Sequence, residues 1–315
     1  MGSFATLIWR EWLEHKGAYV WSPVVIFALI VLAVVTFTPT ELMVDINTPE
    51  HRQKIEVMGN EGDASAMNVI VSMLLDVAGS TDDELQHRLA AILQYTATPF
   101  YWVWLVISFF ALIACIHDER TNRSVLFFKS MPVSDLETVV SKYTFVAWLA
   151  PIPFIAMLFL AQLFVVLMLS TWVEDGMGSR VWLNSNLLVV WFQVLIGYLL
   201  NGLVLAPVFG WLIFVSAWAN RMPFIWALGV PFWLVVVDSI VLDFDWISRA
   251  ISYHGSMPTL PRASVSGDFP QLSVNSTSLM DQLSVLAHGQ FWVGLVVGAG
   301  LLAAAVYYRQ RNNLI

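Results

Sequence analysis

Six times along this chain an apolar run appears that is long enough to cross a membrane: Tyr19–Phe37, Pro99–Ile116, Phe145–Leu169, Leu187–Trp218, Phe224–Leu242 and Phe291–Tyr308. About 20 apolar residues in a helix cover a hydrocarbon core of roughly 30 Å. Within that core every backbone N–H and C=O must pair inside the protein, which leaves helices or closed barrels. Continuous apolar runs of this length select helices. Of the 315 residues 58% are hydrophobic and only 12% charged, about half the charge of a soluble domain. The predicted fold class is an all-α polytopic membrane protein with six transmembrane helices. The fourth run exceeds a straight crossing, and Asn201-Gly202 and Pro207 interrupt it, so a kinked or unwound span is expected there. Pro151 and Pro153 predict a kink in the third.

Between the runs, the polar segments set the topology. Residues 3–16 form an amphipathic pattern with Ser3, Thr6, Arg10 and Glu14 on a narrow polar arc and Trp9, Trp12 and Leu13 opposite. Such a pattern predicts a helix lying at the membrane interface, with Arg10 and Glu14 paired at i,i+4; Glu11 and His15 fall inside its apolar arc. A loop over 38–98 is predicted to hold short helices at 67–77 and 84–93, with a turn between ordered parts at 59–62. A second, over 243–289, is predicted to be helical at its start and at 279–287. Placing the N-terminus, the 117–142 loop, the 219–223 turn and the C-terminal tail on one side gathers nine basic residues there (10, 16, 120, 123, 129, 142, 221, 309, 311), against six opposite (52, 54, 88, 180, 249, 262). The excess predicts that both termini face the cytoplasm and that 38–98 and 243–289 are outer loops. The halves show no internal repeat to support an inverted-repeat transporter. A net charge of −8 argues against nucleic acid as a partner.

The 117–142 loop is the most structured of the polar segments. Pro132 stops any helix begun near Glu119, and Ser134 with Glu137 is a capping box that starts the next one. Leu126, Phe127 and Phe128 give the first helix an apolar surface among Asp118, Glu119, Arg120, Arg123 and Lys129. A helix, a corner and a second helix entering the membrane offer a grip for a soluble partner.

Other polar residues inside the runs are few. Asp238 is the one carboxylate well within a run, where a charge normally faces a cavity or a partner. Gln193 and Asn201 stand eight apart on one face of the fourth run and can hydrogen-bond across helices or to a substrate. Gly294 and Gly298 form G-x-x-x-G, which permits close helix packing. No ligand spacing suggests a metal, no G-x-x-x-x-G-K-[ST] can bind ATP, and no G-x-S-x-G supports a hydrolase. The single cysteine, Cys115, allows no intrachain disulfide.

The run Asp118-Glu119-Arg120, Ser124, Lys129-Ser130-Met131-Pro132-Val133-Ser134 and Ser141-Lys142, set between spans two and three, resembles the coupling segment of ABC-2 type permeases. Two positions depart from the family pattern: Thr121-Asn122-Arg123-Ser124 stands where Gly-Thr is common, and Ser141 where Gly often precedes the lysine. The resemblance implies a non-catalytic permease of an ABC exporter in a bacterial cytoplasmic membrane. It further implies pairing with a second copy of itself and two copies of a separate ATPase that carry ATP and Mg. The ATPases would dock through a coupling helix at 119–131, with Asp118, Glu119, Arg120, Arg123, Lys129 and Pro132 as the coupling residues. Asp238, Gln193 and Asn201 would then line the translocation path of a lipid-like, peptide or drug-like cargo. Two other readings stay open on the residues alone: a membrane sensor or scaffold with partner-binding outer loops, and an ion-coupled transporter using Asp238.

Overall fold

A computed structural model describes residues 3–36, 81–122, 133–173, 176–242, 245–255, 263–266, 271–274 and 278–311. Among them, six helical segments are long and apolar enough to cross a membrane: Phe4–Thr36, Asp82–Thr121, Asp135–Thr171, Gly178–Val204, Pro223–Ile240 and Gly289–Arg311. The chain is an integral membrane protein built of helices. Arg123, Lys129, Pro132, the 67–77 helix and the 59–62 turn lie outside the described residues.

The first helix, α1, runs without interruption from Ser3 to Thr36. The separate interfacial helix expected over 3–16 is corrected: the chain passes through Gly17 as helix, and the amphipathic segment is an extension of the first span. The second, α2 (Asp82–Ala114), starts 17 residues before the predicted Pro99. Thr81 and Glu84 cap each other's backbone amides there, which satisfies the orphan donors of the first turn. Leu85, Leu89 and Leu93 are buried with Val165, Val166, Leu169 and Val181, so the extension has its own apolar seam. A short α3 (His117–Thr121) follows.

The third crossing is α4 (Asp135–Thr144), a π-helical turn over Phe145–Leu149, and α5 (Ile152–Trp172). Ser134 and Glu137 form the predicted capping box. Pro151 has no N–H to give to the preceding turn, and the ladder slips to Ala150 N–H donating to Phe145 C=O at 2.8 Å. That slip leaves the Val146 carbonyl without a helical donor, and the indole N–H of buried Trp104 on α2 supplies one at 3.2 Å. After α6 (Gly178–Asn184), the fourth crossing is divided as its sequence predicts, into α7 (Leu187–Val204) and α8 (Ala206–Trp218). The chain continues through the break, since Leu205 N–H bonds to Asn201 C=O and Phe209 N–H to Leu205 C=O.

The last elements are α9 (Pro223–Val237) with a π turn over Asp238–Leu242, α10 (Trp246–Gly255), α11 (Leu279–Ser284) and α12 (Gly289–Arg311). Among the described residues, one short antiparallel hairpin, β1 (Ala263–Ser266) with β2 (Gln271–Val274), interrupts otherwise helical structure. The all-α expectation overlooked it, because four-residue strands of alternating Ser and Val or Leu read as loop. The core joins α1, α2, the third crossing, α7, α8 and α12, and Tyr19, Tyr101, Trp104, Phe145, Phe154, Tyr198 and Phe209 dominate it. Large apolar side chains such as Leu29, Phe110, Leu160, Phe192, Trp233 and Val296 stay exposed on the outside of the spans, as a lipid solvent permits.

Candidate functional site

At one end of the bundle the charges of four helices converge. The chain leaves α2 at Ile116, and the Ser216 hydroxyl of α8 accepts the backbone N–H groups of Ile116 and His117, each at 3.0 Å. Arg120 reaches the C-terminus of the same helix, donating to Ala217 C=O at 2.7 Å and to Asn220 Oδ1 at 2.6 Å. A cation there complements the helix dipole and the orphan carbonyls. The His117 ring lies 3.3 Å from Ala219 C=O. These contacts fix α3 against α8 and turn Glu119 into the protein, where its side chain is 5% exposed.

Glu119 meets three cations. Oε1 lies 2.9 Å from Arg10 Nη2 and 3.0 Å from Lys142 Nζ, and Oε2 lies 3.4 Å from Arg309 Nη2. Lys142 Nζ also binds Glu11 Oε1 at 2.8 Å, and Arg309 Nε lies 3.0 Å from Asp135 Oδ1. Arg10 extends to Glu14 at 3.6 Å, the predicted i,i+4 pair. Lys142 and Arg309 are buried, and Arg10 is about a quarter exposed. Desolvating each ion costs several kcal/mol, which the partners offset only together. Removing the one acid that all three bases share would leave the largest uncompensated charge. The cluster therefore ties α3 to α1, α4 and α12 at once.

Several of these residues were legible and others were not. Glu119 and Lys142 stand in the segment singled out above, but their expected place was an exposed grip; the structure turns Glu119 and Arg120 inward and leaves Asp118 exposed. Glu11 was visible as an acid inside an apolar arc, and burial against Lys142 explains it. Arg309 read as part of a basic tail, and nothing in its neighbours signals that the last turn of α12 folds back on Asp135.

A cleft of about 220 Å³ opens beside the cluster, with Glu14, His15, Asp118 and Asn122 on its walls. Glu11, Glu14 and His15 bring one ligand atom each within 4.8 Å of one another. The Glu11 oxygen is already held by the Lys142 ammonium, so a metal ion would sit against a positive charge, and the arrangement does not favour one.

The residues assigned to a translocation path are structural links in this conformation. Gln193 Oε1 accepts from Gln94 Nε2 at 2.9 Å, joining α7 to α2. Asn201 is fully buried and pairs with the Tyr101 hydroxyl. Asp238, 3% exposed, accepts the backbone N–H groups of Ile247 at 2.7 Å and Ser248 at 3.4 Å, so its carboxylate caps the start of α10. Gly298 packs on the break in the fourth crossing, where an added Cβ would lie 2.8 Å from the Ala206 backbone. Gly294 faces His254, whose ring fills the space such a Cβ would take.

Compared with known proteins, the chain matches no family model, no curated sequence and no solved structure.

Proposed function

We propose that this chain is the permease subunit of an ABC exporter, driven by a separate ATPase that docks beneath residues 117–142 on the cytoplasmic side. The supporting observation is the position of Glu119. It sits on α3, the element from which the rest of that loop continues, and it holds side chains from α1, α4 and α12. A displacement of the loop by a docked ATPase is therefore delivered to three spans together, as a rigid lever acting on a two-state membrane element. The chain has no P-loop sequence, so ATP and Mg belong to the partner, and two permease copies with two ATPase copies complete the machine. The apolar bundle suits amphipathic or lipid-like cargo.

The test is purification of the tagged chain from native membranes in a mild detergent, with identification of any P-loop ATPase that accompanies it. Wild type is expected to retain one, and Asp118→Arg, which reverses an exposed charge within the loop, to lose most of it at an unchanged melting temperature. A wild-type chain that purifies without any ATPase contradicts the proposal and favours a sensor or scaffold.

A further inference from the structure

The break in the fourth crossing frees carbonyls as well as bending the helix. Pro207 cannot donate, and a carbonyl left free inside an apolar bundle is costly. Two are taken up by side chains from elsewhere. The Tyr143 hydroxyl of α4 donates to Gly202 C=O at 2.8 Å, and His254 Nδ1 lies 2.6 Å from Val204 C=O. His254 is the penultimate residue of α10, a helix otherwise largely exposed. The residue is 6% exposed, its ring seated in the notch that Gly294 leaves in α12, and the ring also bonds the Gln290 carbonyl.

We propose that α10 is a proton-released latch on the break in the fourth crossing, with the His254 ring as the part that engages. Two carbonyls face the ring, and a neutral imidazole carries one N–H; only the imidazolium donates to both. Burial opposes the imidazolium and outweighs the two carbonyls, which holds the ring below the ordinary histidine range. The sign follows from linkage. The docked ring binds protons less readily than the exposed ring, so docking is favoured above the ordinary histidine range and weakens as pH falls through it.

The ionisable groups on the packed elements leave the histidine in control. Tyr253 lies edge-on to it at 5.1 Å, and His288, just before α12, faces Tyr253 at 6.2 Å. Arg249, Asp245 and Asp238 sit at the other end of α10, and Asp281 caps α11. The segments of α7 and α12 that meet the ring, around Val204 and Gly294, contribute no ionisable side chain. Release uncovers the Val204 carbonyl and frees α7 and α8 to bend differently about Leu205, independently of what drives transport.

Amide hydrogen exchange of the nanodisc-embedded chain tests this, read near neutrality and about two pH units lower after correction for the intrinsic rate. Wild-type α10 and the segment around Leu205 are expected to lose protection at low pH, by up to about tenfold per pH unit, the ceiling for one proton. His254→Gln is expected to show no such dependence, and His288→Gln to keep it. Gly294→Ala, which fills the notch, is expected to show the loosened pattern at neutral pH. A wild type that does not respond, a His254→Gln that responds as wild type does, a response lost in His288→Gln, or a Gly294→Ala that stays protected each overturns the proposal.

Discussion

Glu119 is the residue on which the account rests, and its substitution separates a structural joint from a surface grip. Glu119→Gln keeps the shape and removes the charge that Arg10, Lys142 and Arg309 share. Breaking a buried ion cluster this way costs about 3–5 kcal/mol. The variant is therefore expected to show the largest fall in detergent melting temperature among single substitutions in the cluster, with Glu14→Gln, half exposed at 52%, close to wild type. Equal, small falls for both would show that the cluster is solvated. Asp238 makes the opposite prediction. Asp238→Ala loses a helix cap worth about 0.5–2 kcal/mol and should loosen α10, whereas Asp238→Asn keeps an acceptor and should cost less; a requirement for an ion gradient that disappears in Asp238→Asn would restore the ion-coupled reading. At this scale polar residues in apolar runs were the legible signal. Gln193, Asn201 and Asp238 are all partnered inside the protein. Their partners were not legible, because Ile247 and Tyr101 carry no mark in the sequence that assigns them to a particular acid or amide.

At the scale of the elements, the proline positions were informative and the helix ends were not. Pro207 divides the fourth crossing, and Pro151 follows a slip in the hydrogen-bond ladder. Pro99, by contrast, lies inside α2, because the Thr81–Glu84 cap and the Leu85, Leu89, Leu93 seam carry the helix well beyond the membrane-length run. Likewise α1 did not stop at Gly17, since no turn is needed where Glu11 and Arg10 already face the cluster. The G-x-x-x-G pattern names a close approach without naming what approaches. Its two glycines receive different neighbours, Ala206 at Gly298 and His254 at Gly294. Gly298→Val is accordingly expected to push α12 off α8 and destabilise by about 1–3 kcal/mol. Gly300→Ala, with open space around it, is expected to be neutral or to gain up to about 1 kcal/mol from helix propensity; thermal unfolding of the two variants side by side checks the contrast.

Across the whole molecule, the distribution of basic residues anticipated which segments share an end. Arg10, Arg120, Lys142 and Arg309, counted together on one side, lie in one cluster or beside it, and Asn220 of the short turn joins them through Arg120. Membrane orientation depends on such charges, so this level of organisation is written in the sequence directly. The packing of one span on another is not, because an apolar side chain facing lipid and one facing the bundle are chemically alike. That is why Leu29 and Leu112 sit in similar runs and yet one is exposed and the other buried.

The central claim is that Glu119 passes movement of the 117–142 loop to the spans. It is tested by electron-spin distance measurement between labels at Trp9 on α1 and Tyr307 on α12, both exposed, in a Cys115→Ala background. The complex with the proposed ATPase is compared with and without ADP–vanadate trapping. The account predicts a nucleotide-dependent change of distance in the parent that is lost in Glu119→Gln while the ATPase stays bound. The same change in both proteins, with the ATPase bound in each, would contradict it.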